Sequence, residues 1–341
     1  MKTVLFTFDY ELFLGTRSGK PGDCILDPSR RLLDLFRTYD FKAVFFIDTV
    51  HLLRLKEIAP QYPAAAKDWE DIKQQLKEIV REGHEVFPHI HAHWLDAVYL
   101  SDENEWELKN TRYYQFSSLP RAQQLELFDG SMALLNDLAR PVKPSYSADA
   151  YRAGGWSVQP FCHFKPFFRQ YGIIHEWSVI PGKYLASDAH SFDFRKAPAD
   201  HPVYRFEEDP AVPDTKGGFL EWTISTIDLT PLEKWFNFKV SGLLRRLGRI
   251  VPAKGRTVSS GTKVEGDAYQ RGRGTRMVAS FEGLNPFTLR KYLSAIRRND
   301  YFHFISHPKL LTSYEFTMIE QLLRTLKKNG GIQSDFRLVV V

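Results

Sequence analysis

Four groups of polar side chains stand at the ends of apolar runs that are typical of β-strands, and each group could do chemistry. Asp9 and Glu11 close the first run, and because they lie two residues apart they point to one side of an extended chain. The other groups are the histidines His89, His91 and His93, then Arg152 in YRAGGW, then His307 directly after YFHFIS.

The histidine group has the spacing of a metal site. His89 and His93 are four residues apart, and on a helical turn this separation places two side chains on one face, about 5–6 Å apart at Cβ. Two imidazoles and one carboxylate are a ligand set that leaves open positions on a zinc ion. This pattern predicts a metal centre.

Each group also has an ordinary structural explanation. The carboxylates could cap a helix or pair with a base, the histidines could lie on the surface, and Arg152 and His307 could be structural partners in the core. The ensemble favours function, because all four groups fall at strand ends within one series of alternating strands and helices.

That series defines the fold class as α/β. Strands are expected at Val4–Phe8, Lys42–Asp48 and Tyr301–Ser306, and helices at 66–82, 120–139, 287–298 and 312–328. Repeated strand–helix units favour a (β/α) barrel or an open doubly wound sheet. In both, functional side chains gather at the carboxyl ends of the strands.

Composition excludes several other classes. The 341 residues are 43% hydrophobic and 26% charged, which is ordinary for a globular chain and argues against disorder. The two cysteines, Cys24 and Cys162, form no CxxC pair, so a disulfide scaffold is excluded and a reducing compartment is expected. Asp9 and Glu11 interrupt the first apolar run, so we expect no signal peptide, and no run is long enough for a membrane span.

The net charge of +5 is concentrated in one segment. Residues 238–276 contain ten Lys or Arg against Glu265 and Asp267, which gives +8 and leaves −3 for the rest of the chain. Residues 251–276 are rich in Gly, Ser and Arg and lack periodicity, which indicates a mobile loop. We therefore expect one catalytic domain over 1–341 with a basic, mobile insertion at about 231–277. No nucleic-acid-binding module accompanies the charge, so no nucleic-acid partner is expected.

Four segments resemble motifs of the polysaccharide deacetylase family, which has the NodB-homology fold. They are FTFDYE at 6–11, GHEVFPHIHAHW at 83–94, YRAGGWS at 151–157 and ISHPKLL at 305–311, in the family's order. The resemblance implies a distorted (β/α)7 barrel. It also implies hydrolysis of an N-acetyl (or O-acetyl) group on a sugar of a polysaccharide or glycan precursor.

The resemblance assigns roles to single residues. His89 and His93 match the histidine metal ligands, Arg152 matches the arginine that orients the base, and His307 matches the general acid. The chain has Tyr10 where most members have a second, metal-binding aspartate, so Glu11 becomes the third ligand and Asp9 the base. The reverse assignment, with Asp9 as the metal ligand and Glu11 as the base, is also open. The ligand set favours Zn²⁺, while Co²⁺, Ni²⁺ and Fe²⁺ also fit, and no further cofactor is implied.

Two other functions compete with the deacetylase. One is a deformylase or other amide hydrolase acting on a lipid-linked amino sugar. The other is a non-catalytic carbohydrate-binding descendant in which Tyr10 marks a lost metal site. Stoichiometric divalent metal in the purified protein separates the enzymes from the binding module.

The segment PLEKWFNFKVSGLLRRLGRIV at 231–251 interleaves large apolar and basic residues. It suits either an ordinary helix with a solvated basic face or an interfacial helix facing anionic head groups. The second interpretation predicts peripheral membrane contact through 231–277. It also predicts a cytoplasmic protein at the inner face of the membrane, acting on a lipid-linked carbohydrate.

Overall fold

A computed structural model describes residues 1–110, 112–187, 189–247 and 275–339, with the backbone alone for Arg245 and Thr275. The described strands are β1 (Lys2–Tyr10), β2 (Val44–Asp48), β3 (Glu85–Ile90), β4 (Val98–Leu100), β5 (Glu105–Glu107), β6 (Ala150–Ala153), β7 (His175–Glu176), β8 (Tyr184–Ala186), β9 (Ser191–Asp193), β10 (Val203–Phe206), β11 (Phe219–Trp222), β12 (Thr226–Leu229), β13 (Thr275–Val278), β14 (Tyr301–Ser306) and β15 (Ile332–Gln333). The described helices are α1 (Asp27–Tyr39), α2 (Thr49–Ile58), α3 (Pro63–Arg81), α4 (Arg121–Ala139), α5 (Lys165–Tyr171), α6 (Pro231–Arg246), α7 (Pro286–Arg298) and α8 (Ser313–Asn329).

Nine strands form one curled sheet in the order β10-β11-β7-β6-β3-β2-β1-β14, with β15 beside the start of β1. The seven strands from β11 to β14 pair in parallel, and β10 is an antiparallel edge. Parallel pairing brings the carboxyl ends of all seven strands to one end of the sheet. The expected distorted (β/α) barrel is confirmed.

Among the described residues, single backbone hydrogen bonds and not a strand of the main sheet fill the gap between β11 and β14. Ile224 donates its N–H to the carbonyl of Val179, and Ser225 donates its N–H to the carbonyl of His303. Ala279 adds a bond on the same side, from its N–H to the carbonyl of Ser225. These single hydrogen bonds stand where a regular barrel would have a ladder of bonds between two strands. The barrel is therefore distorted at this position.

Alternation along β1 separates the packing face from the functional face. Phe6 and Phe8 point outward and pack against Phe36 of α1, with ring centroids 5.1 and 5.8 Å away. Tyr10 lies on the same outward face and donates its hydroxyl to Gln75 of α3 at 2.8 Å. Thr7 and Asp9 point into the barrel, where they meet side chains from other strands.

The expected helices and strands are present within a few residues of their predicted bounds. The helix expected at 66–82 is the carboxyl-terminal part of α3, and those expected at 120–139 and 312–328 correspond to α4 and α8. Helix α8 begins with a capping box, in which Thr312 and Glu315 each accept the other's backbone N–H.

A separate two-stranded sheet joins the described residues on either side of the chain stretch in which the sequence predicts an insertion. Strands β12 and β13 pair antiparallel, with Leu229 opposite Thr275, and α6 follows β12. Residues 248–274, which contain most of the loop that the sequence predicts to be mobile, lie outside the described residues. Among the helices of the described chain, none is both long enough and apolar enough to cross a lipid bilayer.

Candidate active site

The carboxyl end of β1 places two buried carboxylates at the floor of a cavity. Asp9 is 2% exposed and Glu11 is 6% exposed. Arg152 of β6 donates from Nη1 to Asp9 Oδ1 at 2.6 Å, so Asp9 is held by its Oδ1 atom. Burial favours the neutral acid, but Arg152, His89 and His307 together outweigh it and keep the pKa of Asp9 below its usual value. Asp9 is therefore ionised near neutral pH.

Arg152 is itself fixed from several sides. It is fully buried, donates from Nη2 to Thr7 Oγ1 at 2.8 Å, and donates from Nε to the carbonyl of Trp177 at 3.0 Å. Its guanidinium lies 4.1 Å from the ring centroid of Phe46. The arginine predicted to orient a carboxylate contacts that carboxylate directly.

His89, at the end of β3, presents one defined nitrogen to the site. Its Nδ1 lies 2.9 Å from the carbonyl of Arg152, which accepts a hydrogen bond, so Nδ1 carries the hydrogen. Nε2 then faces Glu11 Oε2 at 3.5 Å with its lone pair free. A fixed tautomer of this kind is typical of metal-binding histidines.

Glu11, His89 and His91 form a group of three buried donors that could hold a metal ion. The Nε2 atoms of His89 and His91 are 3.0 Å apart, and His91 Nε2 lies 2.6 Å from Glu11 Oε2. Zinc bonds of about 2.0–2.1 Å in a tetrahedron separate donor atoms by about 3.3 Å. The three donors are near this spacing, and their atom types fit a divalent cation.

The electrostatics of the group also favour a cation. Burial lowers the pKa of His89, but Asp9 and Glu11 outweigh burial and raise it, so the carboxylates attract positive charge to the nitrogen. Burial alone favours a neutral Glu11, but Lys309 donates to Glu11 Oε1 at 2.8 Å and holds the pKa of Glu11 well below its usual value. Glu11 is thus available as an anionic ligand.

His93 lies beside this group but outside it. The backbone is a β-strand up to Ile90 and turns into a 3₁₀-helix only at Ala92–Asp96, so residues 89–93 do not form the helical turn on which the i, i+4 argument depends. Alternation instead brings His89 and His91 together. The His93 ring stacks on Tyr114 at 5.7 Å, and both of its nitrogens are buried without a hydrogen-bond partner.

His307 follows β14 and faces both carboxylates. Its Nε2 lies 3.6 Å from Asp9 Oδ2 and 3.4 Å from Glu11 Oε1. Glu282 Oε1 accepts from His307 Nδ1 at 2.7 Å and from the His307 backbone N–H at 3.0 Å. Burial opposes protonation, but the carboxylates of Glu282, Asp9 and Glu11 together outweigh it and raise the pKa of His307 to about 9.

A third buried carboxylate, Asp48, lies behind the histidines. It ends β2, is 1% exposed, and accepts a hydrogen bond from the indole N–H of Trp94. Burial raises the pKa of Asp48 to about 6.

Five of the side chains described above line a cavity of about 290 Å³ that can admit a sugar-sized group. Its floor is made by Asp9, Glu11, His89, His91 and His307, and its walls by Tyr114, Gly155, Trp156, Lys183, Tyr184, Leu185, His190 and Phe192.

The sequence analysis did not assign His91, Glu282 or Lys309. His91 had a detectable signal, since it alternates with His89 after a strand, and Lys309 stands two residues after His307. Glu282 carries no local signal, because it comes from the loop between β13 and α7 and meets His307 only in the folded chain.

Comparisons with known proteins show the fold. No protein-family model matches the chain, and no curated protein is similar to it in sequence. Among solved structures, the chain is similar to a putative polysaccharide deacetylase from Mycobacterium smegmatis, with 13% identity, 97% of this chain and 85% of that chain covered, and a TM-score of 0.52. An allantoinase and a probable polysaccharide deacetylase from Pseudomonas aeruginosa PAO1 match at 11% and 10% identity. Each covers 98% of this chain, with 87% and 88% of their own chains covered and TM-scores of 0.48 and 0.47. The structure of this chain is thus the distorted (β/α) barrel of the polysaccharide deacetylase type.

Proposed function

We propose that the protein is a metal-dependent hydrolase that removes an N-acetyl or O-acetyl group from a sugar of a glycan. One observation carries the proposal. Three side chains that can bind a metal ion lie at the floor of one cavity: Glu11, His89 and His91. The same floor contains the Asp9 carboxylate, which Arg152 holds, and the His307 ring, which Glu282 holds. Amide hydrolysis needs these parts together: a cation, a base and a proton donor.

His89 belongs to the proposed ligand set in every version of this proposal, and Glu11 belongs to it unless Glu11 and Asp9 exchange roles. His91 is the third donor by distance, and His93 is the third donor by the resemblance in sequence. A divalent ion held there, with Zn²⁺ as first choice, would polarise the acyl carbonyl and lower the pKa of a water molecule towards ~7.

The chain's own side chains supply the proton transfers. Asp9 Oδ2 faces the cavity, while Arg152 holds Oδ1, so Asp9 can accept a proton from water at Oδ2. His307 Nδ1 donates to Glu282, which leaves Nε2 to deliver a proton to the departing nitrogen or oxygen. Arg152 keeps Asp9 ionised and oriented.

The roles of Asp9 and Glu11 are separable by substitution. We expect Asp9→Asn to retain metal and lose activity, since a base binds the proton of the water and not the ion. We expect Glu11→Gln to lose both. The reverse pattern would exchange the two roles, and full activity in both variants would exclude a hydrolase that uses this site.

The acyl group and the sugar are the finer part of the proposal. The similar structure from Mycobacterium smegmatis is a putative polysaccharide deacetylase, which supports an acetylated sugar as the substrate. The alternative is a deformylase acting on a lipid-linked amino sugar.

The test combines metal content with product analysis. The full chain is reconstituted with Zn²⁺, Co²⁺, Ni²⁺ or Fe²⁺, and elemental analysis gives occupancy. Acetate and formate release are then measured with N-acetylated and N-formylated amino sugars. Acetate release supports the deacetylase, formate release supports the deformylase, and failure to bind any metal supports the non-catalytic carbohydrate-binding alternative.

A lipid-linked substrate handled at the inner face of the membrane is also part of the proposal. It depends on the surface of α6, which is argued next.

A further inference from the structure

Exposed apolar side chains are concentrated on α6 and the residue that follows it. Twelve large hydrophobic residues are exposed in the described chain, and half of them fall in the stretch 232–247. They are Leu232 (73% exposed), Trp235 (56%), Phe236 (46%), Phe238 (69%), Leu243 (58%) and Leu247 (63%). Single exposed apolar residues need no explanation, but a cluster of this kind marks an interaction surface.

One side of α6 is already fixed to the barrel. Phe236 packs edge-on against Phe287 of α7 with centroids 5.4 Å apart, and Asn237 accepts a hydrogen bond from Asn285 at 2.8 Å. Glu233 forms an ion pair with Lys291. Because these contacts hold one side, Trp235, Phe238 and Leu243 stay exposed in the folded protein.

The charge of the helix is complementary to an anionic surface. Its sequence contains four basic residues and one acidic residue, a net charge of +3, and Lys291 neutralises that one acidic residue, Glu233. The Lys239 ammonium lies 5.5 Å from the Trp235 ring, so charged and apolar groups share one surface. Aromatic and basic side chains together are typical of helices that lie in the head-group region of a bilayer.

The helix is also linked to the active site through one loop. Asn285, which bonds to α6, follows Glu282 by three residues, and Glu282 bonds to His307 on the cavity floor. The loop after β13 therefore contacts both α6 and a side chain on the cavity floor.

We propose that α6 is an interfacial helix that holds the protein against an anionic lipid surface. The apolar side chains enter the head-group boundary, and the basic groups contact lipid phosphates. This inference goes beyond the proposed hydrolase, since it concerns where the protein lies and not which bond it cleaves.

The experiment uses the full chain and sedimentation with vesicles of phosphatidylcholine alone or with one third phosphatidylglycerol. We expect binding to the anionic vesicles, weakening as salt rises. Lys234→Gln and Lys239→Gln should each weaken it roughly fivefold. Combined Trp235→Gln, Phe238→Gln and Leu243→Gln should abolish it.

The matched control carries Val98→Gln, Ile174→Gln and Leu338→Gln, which also remove three exposed apolar side chains. It should bind as the unmodified chain does. Circular dichroism and metal content of both triple variants show whether the fold and the site are intact. No binding to anionic vesicles, or equal loss in both triple variants, overturns the inference. Sedimentation velocity gives a further contrary result: a dimer that only the α6 variant dissociates, without vesicle binding, would identify a second copy of the chain as the occupant.

Discussion

At the residue scale, substitutions can test directly which histidine is the third metal ligand, His91 or His93. We expect His91→Ala to lose bound metal and activity together, because His91 Nε2 lies 2.6 Å from Glu11 and 3.0 Å from His89 Nε2. We expect His93→Ala to keep the metal, since its ring stacks on Tyr114 instead. Elemental analysis of both variants decides. Metal retained in His91→Ala and lost in His93→Ala would establish the ligand pair that the sequence predicts.

A second residue-scale prediction concerns Glu282. Glu282→Gln should retain metal and fold but lower kcat by about 10- to 100-fold, because the carboxylate that holds His307 Nδ1 is lost. Glu208→Gln is a suitable control, since Glu208 is an exposed residue whose partner is Lys165. Steady-state kinetics and elemental analysis check this expectation. Loss of metal in Glu282→Gln would instead place His307 among the ligands.

Strand-end reasoning predicted much of this site, and its omissions have physical causes. Asp9, Glu11, His89, Arg152 and His307 meet at one cavity because the parallel strands that carry them end at one edge. His91 was not assigned, since the spacing argument used a helical period where the chain is still extended. Glu282 was beyond prediction, because a contact across 25 residues of sequence depends on how the barrel closes.

At the element scale, Arg152 joins four strands or strand ends across the barrel interior. It contacts Asp9 and Thr7 of β1, the carbonyl of Trp177 after β7, and His303 of β14 at 3.2 Å. Strand β6 is therefore tied to its distant neighbours by side-chain bonds and not by the sheet ladder alone.

That arrangement gives an element-scale prediction. Arg152→Met should lower the free energy of unfolding by about 3–5 kcal/mol, because it leaves the Asp9 carboxylate buried without its partner. Urea denaturation measures the change. Adding Asp9→Asn to Arg152→Met should recover part of the loss, and a double variant no more stable than Arg152→Met would contradict this explanation.

The elements were the most predictable part of the fold. Helices such as α3 and α8 have clear apolar periodicity, and buried strands such as β2 are continuous apolar runs. The closure at Ile224 and Ser225 could not be predicted, because it depends on isolated backbone hydrogen bonds that leave no pattern in the sequence.

At the scale of the whole molecule, stability should fall in acid because buried histidines are kept neutral. Burial lowers the pKa of His84 to about 3, whereas an unfolded histidine titrates near ~6.5. Below pH ~6.5 the unfolded chain binds this proton and the folded chain does not, so stability is lost as the pH falls from ~6.5 towards 3. Burial also lowers the pKa of His51 to about 3, which adds to the effect.

A single variant isolates the His84 contribution. His84 Nδ1 accepts the backbone N–H of Ala43 at 3.1 Å, and His84→Gln retains an acceptor without a titrating group. Between pH 6 and 4, the unfolding free energy of the variant should fall less steeply than that of the unmodified chain, by about 1.4 kcal/mol per pH unit. Parallel slopes in urea titrations across this range would show that His84 does not titrate on unfolding.

Leu229 and Thr275 are paired, so the chain between them begins and ends at neighbouring positions and can change as a unit. A chain that departs and returns at neighbouring backbone positions can be shortened to a tight hairpin, or exchanged for another sequence, without moving the strands that carry Arg152 or His89. The backbone hydrogen bonds at Ser225 are single bonds, so such changes do not have to preserve the register of a strand ladder there. If α6 binds lipid as proposed, the surface that sets where the protein lies and the strands that carry its chemistry belong to different elements, so one can diverge while the other is preserved.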